Sequence, residues 1–207
     1  NVGFRTGVNM VDINGDGFLD IYICAAGLYE DAYRKNLLYI NNGNSTFTEK
    51  AAEYGLDAMS YSTQSYFFDY DNDGDLDILL TGDSGSGLIS KIYRNNCTEP
   101  NIIPSVPSNL RALINGNVVN FSWDKSIDKE TPQDGLTYNL VVGSTPDGID
   151  IVSPMSNINT GYRKIVSLGN TNLNNFWTLK NLPDGKYYWS VQAIDNNFSG
   201  SKFAERQ

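Results

Sequence analysis

Histidine is missing from this 207-residue chain. Without an imidazole, Ser-His-Asp and Cys-His catalysis, His-ligated zinc and the commonest general base are all excluded. Carboxylate chemistry remains available. Cysteine is scarce, with only Cys24 and Cys97, and their spacing fits no metal or redox motif. Cys24 closes an apolar run, where a buried thiol is the favoured state; a Cys24–Cys97 disulfide stays open as the alternative in an oxidising compartment. No Arg-Gly-Asp tripeptide occurs. No stretch is apolar over the ~18 residues that a membrane span needs, so membrane insertion is not expected. No signal peptide is visible, and the chain opens inside a repeat, as if cut from something longer. Positive charge is in deficit, with 15 Lys and Arg against 24 Asp and Glu, a net charge of −9 and a pI near 4.4. That balance argues against nucleic acid as a partner, because phosphate binding needs Lys and Arg.

What is present is a globular composition, 40% hydrophobic and 12% aromatic. The acid is concentrated: Asp12, Asp16, Asp20, Asp69, Asp71, Asp73, Asp75 and Asp77 place 8 of the 24 acidic residues in two short loops. Those loops belong to an internal repeat. GVNMVDINGDGFLDIYIC around Asp12 aligns with SYFFDYDNDGDLDILLTG around Asp69, and NLLYINN from Asn36 aligns with SKIYRNN from Ser90. Each repeat reads as strands. One enters the loop (Val8 to Val11; Tyr66 to Phe68), one leaves it (Leu19 to Ile23; Leu76 to Leu80), and a third follows (Leu37 to Ile40; Ile92 to Tyr93). A fourth, Thr46 to Thr48, is clear in the first repeat only. About four strands per repeat suggests one blade of a β-propeller. Two blades do not close a ring, so the remaining blades are expected in a longer parent chain.

Both loops fit the pattern D-x-[DN]-x-D-G-x-x-D. Calcium is a hard cation that takes 6 to 8 oxygens, and alternate loop positions turn theirs toward one centre. Glycine at the sixth position permits the sharp turn. The spacing assigns Asp12, Asn14, Asp16, the Phe18 carbonyl and Asp20 to one calcium ion. It assigns Asp69, Asp71, Asp73, the Asp75 carbonyl and Asp77 to a second. An EF-hand would need an acid at the twelfth position, where Ile23 and Leu80 stand. Asp-rich turns also form without metal, but two aligned copies and the mutual repulsion of the carboxylates favour an ion. The second loop offers four carboxylates against three, and so is expected to bind more tightly.

From Cys97 to Val106 the chain reads CTEPNIIPSV, an extended linker, placed here at 98–106. Beyond it, alternating runs (Val119, Phe121, Trp123; Tyr138, Leu140, Val142; Tyr187, Trp189, Val191, Ala193) are separated by turn pairs such as Asn115-Gly116 and Asp184-Gly185. This reads as a β-sandwich of about seven strands. Trp123 is expected in its core.

Residues 1–97 resemble the FG-GAP/VCBS repeats of integrin-α-like β-propellers. The resemblance is carried by Tyr70 to Asp77, Leu38 to Gly43, Ser45 to Glu49 and Ala51 to Leu56. Residues 107–207 resemble a fibronectin type III domain, through Pro107 to Leu110, Trp123, and a tyrosine-corner-like segment from Leu182 to Tyr187. The expected fold is therefore all-β, a partial propeller of about two blades followed by a fibronectin-III-like sandwich. The resemblance implies that calcium braces the blade hairpins. It also implies a non-enzymatic, extracellular interaction or adhesion module, secreted or on a bacterial cell surface, with a protein or glycan partner. A carbohydrate-binding or targeting appendage of a larger secreted enzyme is the alternative, for which the 13 tyrosines offer stacking surfaces.

Overall fold

Alternation of apolar and polar residues on either side of each Asp loop produces hairpins, and the hairpins join edge to edge. In a computed structural model of the chain the described residues are 4–26, 34–59, 62–71, 73–84, 86–98, 101–163 and 165–207. Asn72 of the second loop, and Glu99 and Pro100 of the expected linker, lie outside them. The chain divides into two compact units, Asn1–Asn101 and Ile102–Gln207, a division that falls inside the 98–106 segment. Among the described residues no helix is long and apolar enough to cross a membrane.

In the first unit, β1 (Phe4–Val11), β2 (Asp20–Ala26), β3 (Leu37–Asn41) and β4 (Phe47–Glu49) form an antiparallel blade. The second repeat gives β5 (Ser62–Phe68), β6 (Asp77–Asp83) and β7 (Leu88–Tyr93), also antiparallel. One pairing, Ala26 with Ser62, joins the two into a single sheet. The strands extend several residues beyond the periodic sequence runs, because backbone pairing continues where side chains turn polar.

The blades bury Tyr22, Cys24, Leu38, Phe67, Ile78 and Leu80. Tyr22 meets Phe67 edge-on, with ring centroids 6.0 Å apart. On β2 the run is not equally buried on its two faces: Tyr22 and Cys24 are fully enclosed, while Ile21 and Ile23 are half-buried. The polar groups beside Tyr22 are satisfied. Tyr22 donates to the Leu56 carbonyl and accepts from Asn36, whose own carbonyl oxygen accepts from the Ala25 amide. Cys24 and Cys97 are not disulfide-bonded. Cys24 lies 3.2 Å from the Ser65 hydroxyl and Cys97 faces the Asn14 carbonyl.

The second unit is a sandwich. β8 (Ser108–Asn115), β9 (Val118–Asp124) and β11 (Phe176–Leu179) make one sheet in the order β11-β9-β8, and β10 (Thr137–Gly143) pairs with β12 (Tyr188–Ile194) in the other. Val119, Phe121 and Trp123 of β9 face Tyr138, Leu140 and Val142 of β10 and Trp189, Val191 and Ala193 of β12. Trp123 is 1% exposed, as a core residue should be. The Tyr187 hydroxyl donates to the Pro183 carbonyl at 3.0 Å.

Among the described residues five strands form here rather than about seven. The C-terminal segment runs along β12 through Ser201, Ala204 and Gln207 amide bonds to Ala193, Val191 and Trp189, without becoming a full strand. Residues 144–163 and 165–175 form turns and isolated bridges, with Val152 bonding Val142 and with Thr171 and Asn172 bonding Tyr138 of β10. Buried amides replace ladder pairing there: Asn139 donates to Pro154 and Ser156, and Gln192 to the Ser201 carbonyl. The later part of the expected linker packs with this unit. Ser105 exchanges hydrogen bonds with Ile127, and Pro104 is buried.

Candidate metal centre

The turn between β1 and β2 is wound around Asp12. Its Oδ1 accepts the Gly15 and Asp16 amides at 2.9 and 3.1 Å, and its Oδ2 accepts the Gly17 amide at 2.7 Å. The wrapping requires left-handed backbone at Gly15 (φ 73°) and Gly17 (φ 86°), which a side chain would strain. Asp20 closes the loop from the far side. Its Oδ2 accepts the Ile13 amide at 3.0 Å and its Oδ1 accepts the Asn41 amide at 2.8 Å. Between them Asp16 is exposed, accepting from the Phe18 amide and the Asn14 side chain. Burial pushes the Asp12 and Asp20 carboxyls up from 3.8 to about 6, against the backbone N–H groups that favour their ionised forms.

Loop two repeats the same bonds. Asp69 accepts the Asp73 and Gly74 amides at 3.1 and 3.2 Å. Asp77 accepts the Tyr70 amide at 3.0 Å and the Asn95 amide at 2.8 Å. Gly74 again has left-handed backbone (φ 95°). Here the carboxylates also converge: one oxygen each from Asp69, Asp71 and Asp77 lie within 4.8 Å of one another. Two oxygens of the loop, Asp71 Oδ1 and Asp75 Oδ1, are buried with no hydrogen-bond partner. Burial and the neighbouring Asp73 raise Asp75 to about 6, and burial raises Asp77. Asp73 is held below the ordinary carboxylate range by its hydrogen bond from Arg94.

The two loops thus share a scaffold and differ in their readiness for a cation. Among the described residues the group of three converging acids is in loop two. In loop one Asp12, Asp16 and Asp20 are drawn to backbone amides, and Asn14 to Asp16. Phe18 packs its ring against Gly43. A carboxylate oxygen buried without a donor is costly, so Asp71 and Asp75 fit a hard cation by the chemistry of the donor set. Asp75 stands at the seventh position and contributes an unsatisfied side-chain oxygen there, beyond the carbonyl expected of that position.

Three residues that matter to the loops escape the spacing pattern. Asn41 and Asn95 each give their backbone N–H to the last aspartate of a loop. Their side chains bond the Leu19 and Leu76 carbonyls. Their signal is the repeated Asn-Asn of NLLYINN and SKIYRNN. Arg94, which stands where the first repeat has Ile40, pairs with Asp71 and Asp73.

The sequence profile of the FG-GAP-like repeat matches residues 12–80, from the first aspartate of loop one into β6. No curated protein matches the chain. Among solved structures, the selenomethionine-substituted chicken interferon gamma receptor alpha chain is similar at 11% identity, over 98% of this chain and 95% of that one, with a TM-score of 0.29.

Proposed function

We propose that the two Asp loops bind calcium and that the ion braces the β1–β2 and β5–β6 hairpins of a propeller-like blade pair. The observation that carries this reading is in loop two, where three carboxylates converge and two buried oxygens, on Asp71 and Asp75, lack donors. Asp69, Asp71, Asp73, Asp75 and Asp77 would hold one ion, and Asp12, Asn14, Asp16, Asp20 and the Phe18 carbonyl the other. The bound ion supplies positive charge to clustered oxygens and takes no chemical step. The chain is read as a binding module rather than an enzyme. The profile match to the FG-GAP-like repeat supports an extracellular, adhesion-type setting, in which the partner would be a protein or glycan at a cell surface.

The second unit is read as a fibronectin-III-like domain. Support comes from the sheet order β11-β9-β8, the C-terminal segment along β12, the buried Trp123 and the Tyr187–Pro183 bond.

Isothermal titration with calcium tests the central claim. Affinities are expected near ~10⁻⁴ to 10⁻³ M, as in extracellular modules. Saturating calcium should raise the melting temperature of the first unit relative to EDTA. No binding heat together with identical melts would remove the proposal.

A further inference from the structure

Immediately after β7, Arg94 lays its guanidinium across loop two. Its Nε lies 2.8 Å from Asp71 Oδ2 as an ion pair, and an Nη donates to Asp73 Oδ2 at 3.0 Å. The fork takes one oxygen from each acid and leaves the other. Asp71 Oδ1 is buried and without a partner, and Asp73 Oδ1 accepts the Asp75 amide at 3.3 Å. Asp71 is also one of the three acids that converge. In the first repeat Ile40 stands in place of Arg94, and there the loop's acids do not converge as a group of three.

We propose that Arg94 is a positioning residue for the cation of loop two, pairing with one oxygen of Asp71 and one of Asp73 so that Asp71 stays among the acids that converge with Asp69 and Asp77. The inference rests on the calcium reading and adds to it an outer-shell group that loop one lacks. An arginine there has two opposed effects. Its charge repels a divalent ion, and its fork fixes ligand geometry. The Arg94 side chain is 54% exposed, so solvent and salt screen the repulsion to roughly tenfold in affinity or less. Loss of an outer-shell partner typically weakens a metal site by ~10 to 100-fold. The fork therefore outweighs the charge, and loop two binds more tightly with Arg94 than without it.

The test uses terbium as the probe, with emission sensitised by Tyr70 and Tyr93, in the full chain carrying Asp16→Ala to silence loop one. Arg94→Ile, the residue of the first repeat, is expected to weaken terbium binding by ~10 to 100-fold. It should also add a bound water, counted from emission lifetimes in H₂O and D₂O, where a carboxylate oxygen has let go. Arg94→Lys keeps the charge but loses the fork and should fall between. Lifetimes at saturating terbium report the ion's shell, so a general loss of stability would not mimic the added water. Equal or tighter binding by Arg94→Ile with an unchanged water count overturns the positioning role and leaves the calcium reading standing. No saturable signal from the parent chain overturns the calcium reading and the positioning role with it.

Discussion

Two kinds of aspartate share each loop, and their environments separate them. Asp20 is fully buried and accepts the Ile13 and Asn41 amides, whereas Asp16 is exposed. Removing Asp20 strands two backbone donors, at a cost of about 1–3 kcal/mol for each buried group. Asp20→Ala should therefore destabilise the first unit by about 2–6 kcal/mol even in EDTA. Asp16→Ala should cost less than about 1 kcal/mol in EDTA and be felt in calcium alone. Urea titrations of both variants, with and without the ion, check this. Equal losses in EDTA would erase the distinction between brace and ligand. In the second unit, Tyr187→Phe removes only the hydroxyl bond to Pro183. It should cost about 0.5–1.5 kcal/mol, measured the same way.

At the scale of the loop, the charge of these acids sets a pH dependence. Asp12 and Asp20 ionise near 6 in the folded chain instead of 3.8, because burial disfavours the carboxylate. Between roughly pH 4 and 6 the folded state then holds more protons than the unfolded state, so stability falls as pH rises through that window. Asp57 and Asp73, held low by Lys35 and Arg94, act in the opposite sense, but only below the ordinary carboxylate range. Melting temperature in EDTA should accordingly decline from pH 4.5 to 6.5. In saturating calcium, which displaces those protons, the gap over EDTA should widen with pH. A metal-free melt that rises across the window would contradict the buried-acid account.

The loops were legible in the sequence for a local reason: the spacing of the acids and the glycine placement are fixed within nine residues. Asn41, Asn95 and Arg94 were not, because they reach the loops from the end of β3 or β7, 18 to 21 residues away in the chain. The strand count of the sandwich was overestimated for a related reason. Residues 144–163 and 165–175 are held by the buried Asn139 and Gln192 and the exposed Asn170, and amide networks leave no alternation to read.

Across the whole molecule, the proposed calcium loops and the tryptophan-bearing core fall in different compact units. Every proposed calcium ligand lies in Asn1–Asn101, and all three tryptophans, Trp123, Trp177 and Trp189, lie in Ile102–Gln207. Binding to a folded state stabilises only the cooperative unit that contains the site. Tryptophan emission follows the sandwich, where Trp123 packs on Tyr138 and Trp189 on Phe121. Far-ultraviolet circular dichroism follows both units. Calcium should then shift the dichroism-detected melt upward and leave the tryptophan-detected melt in place, and Asp71→Ala should abolish most of the shift. A tryptophan transition that moves with calcium as far as the dichroism does would mean that the ion stabilises the chain as one cooperative body. The blade loops would then not be acting on their own unit.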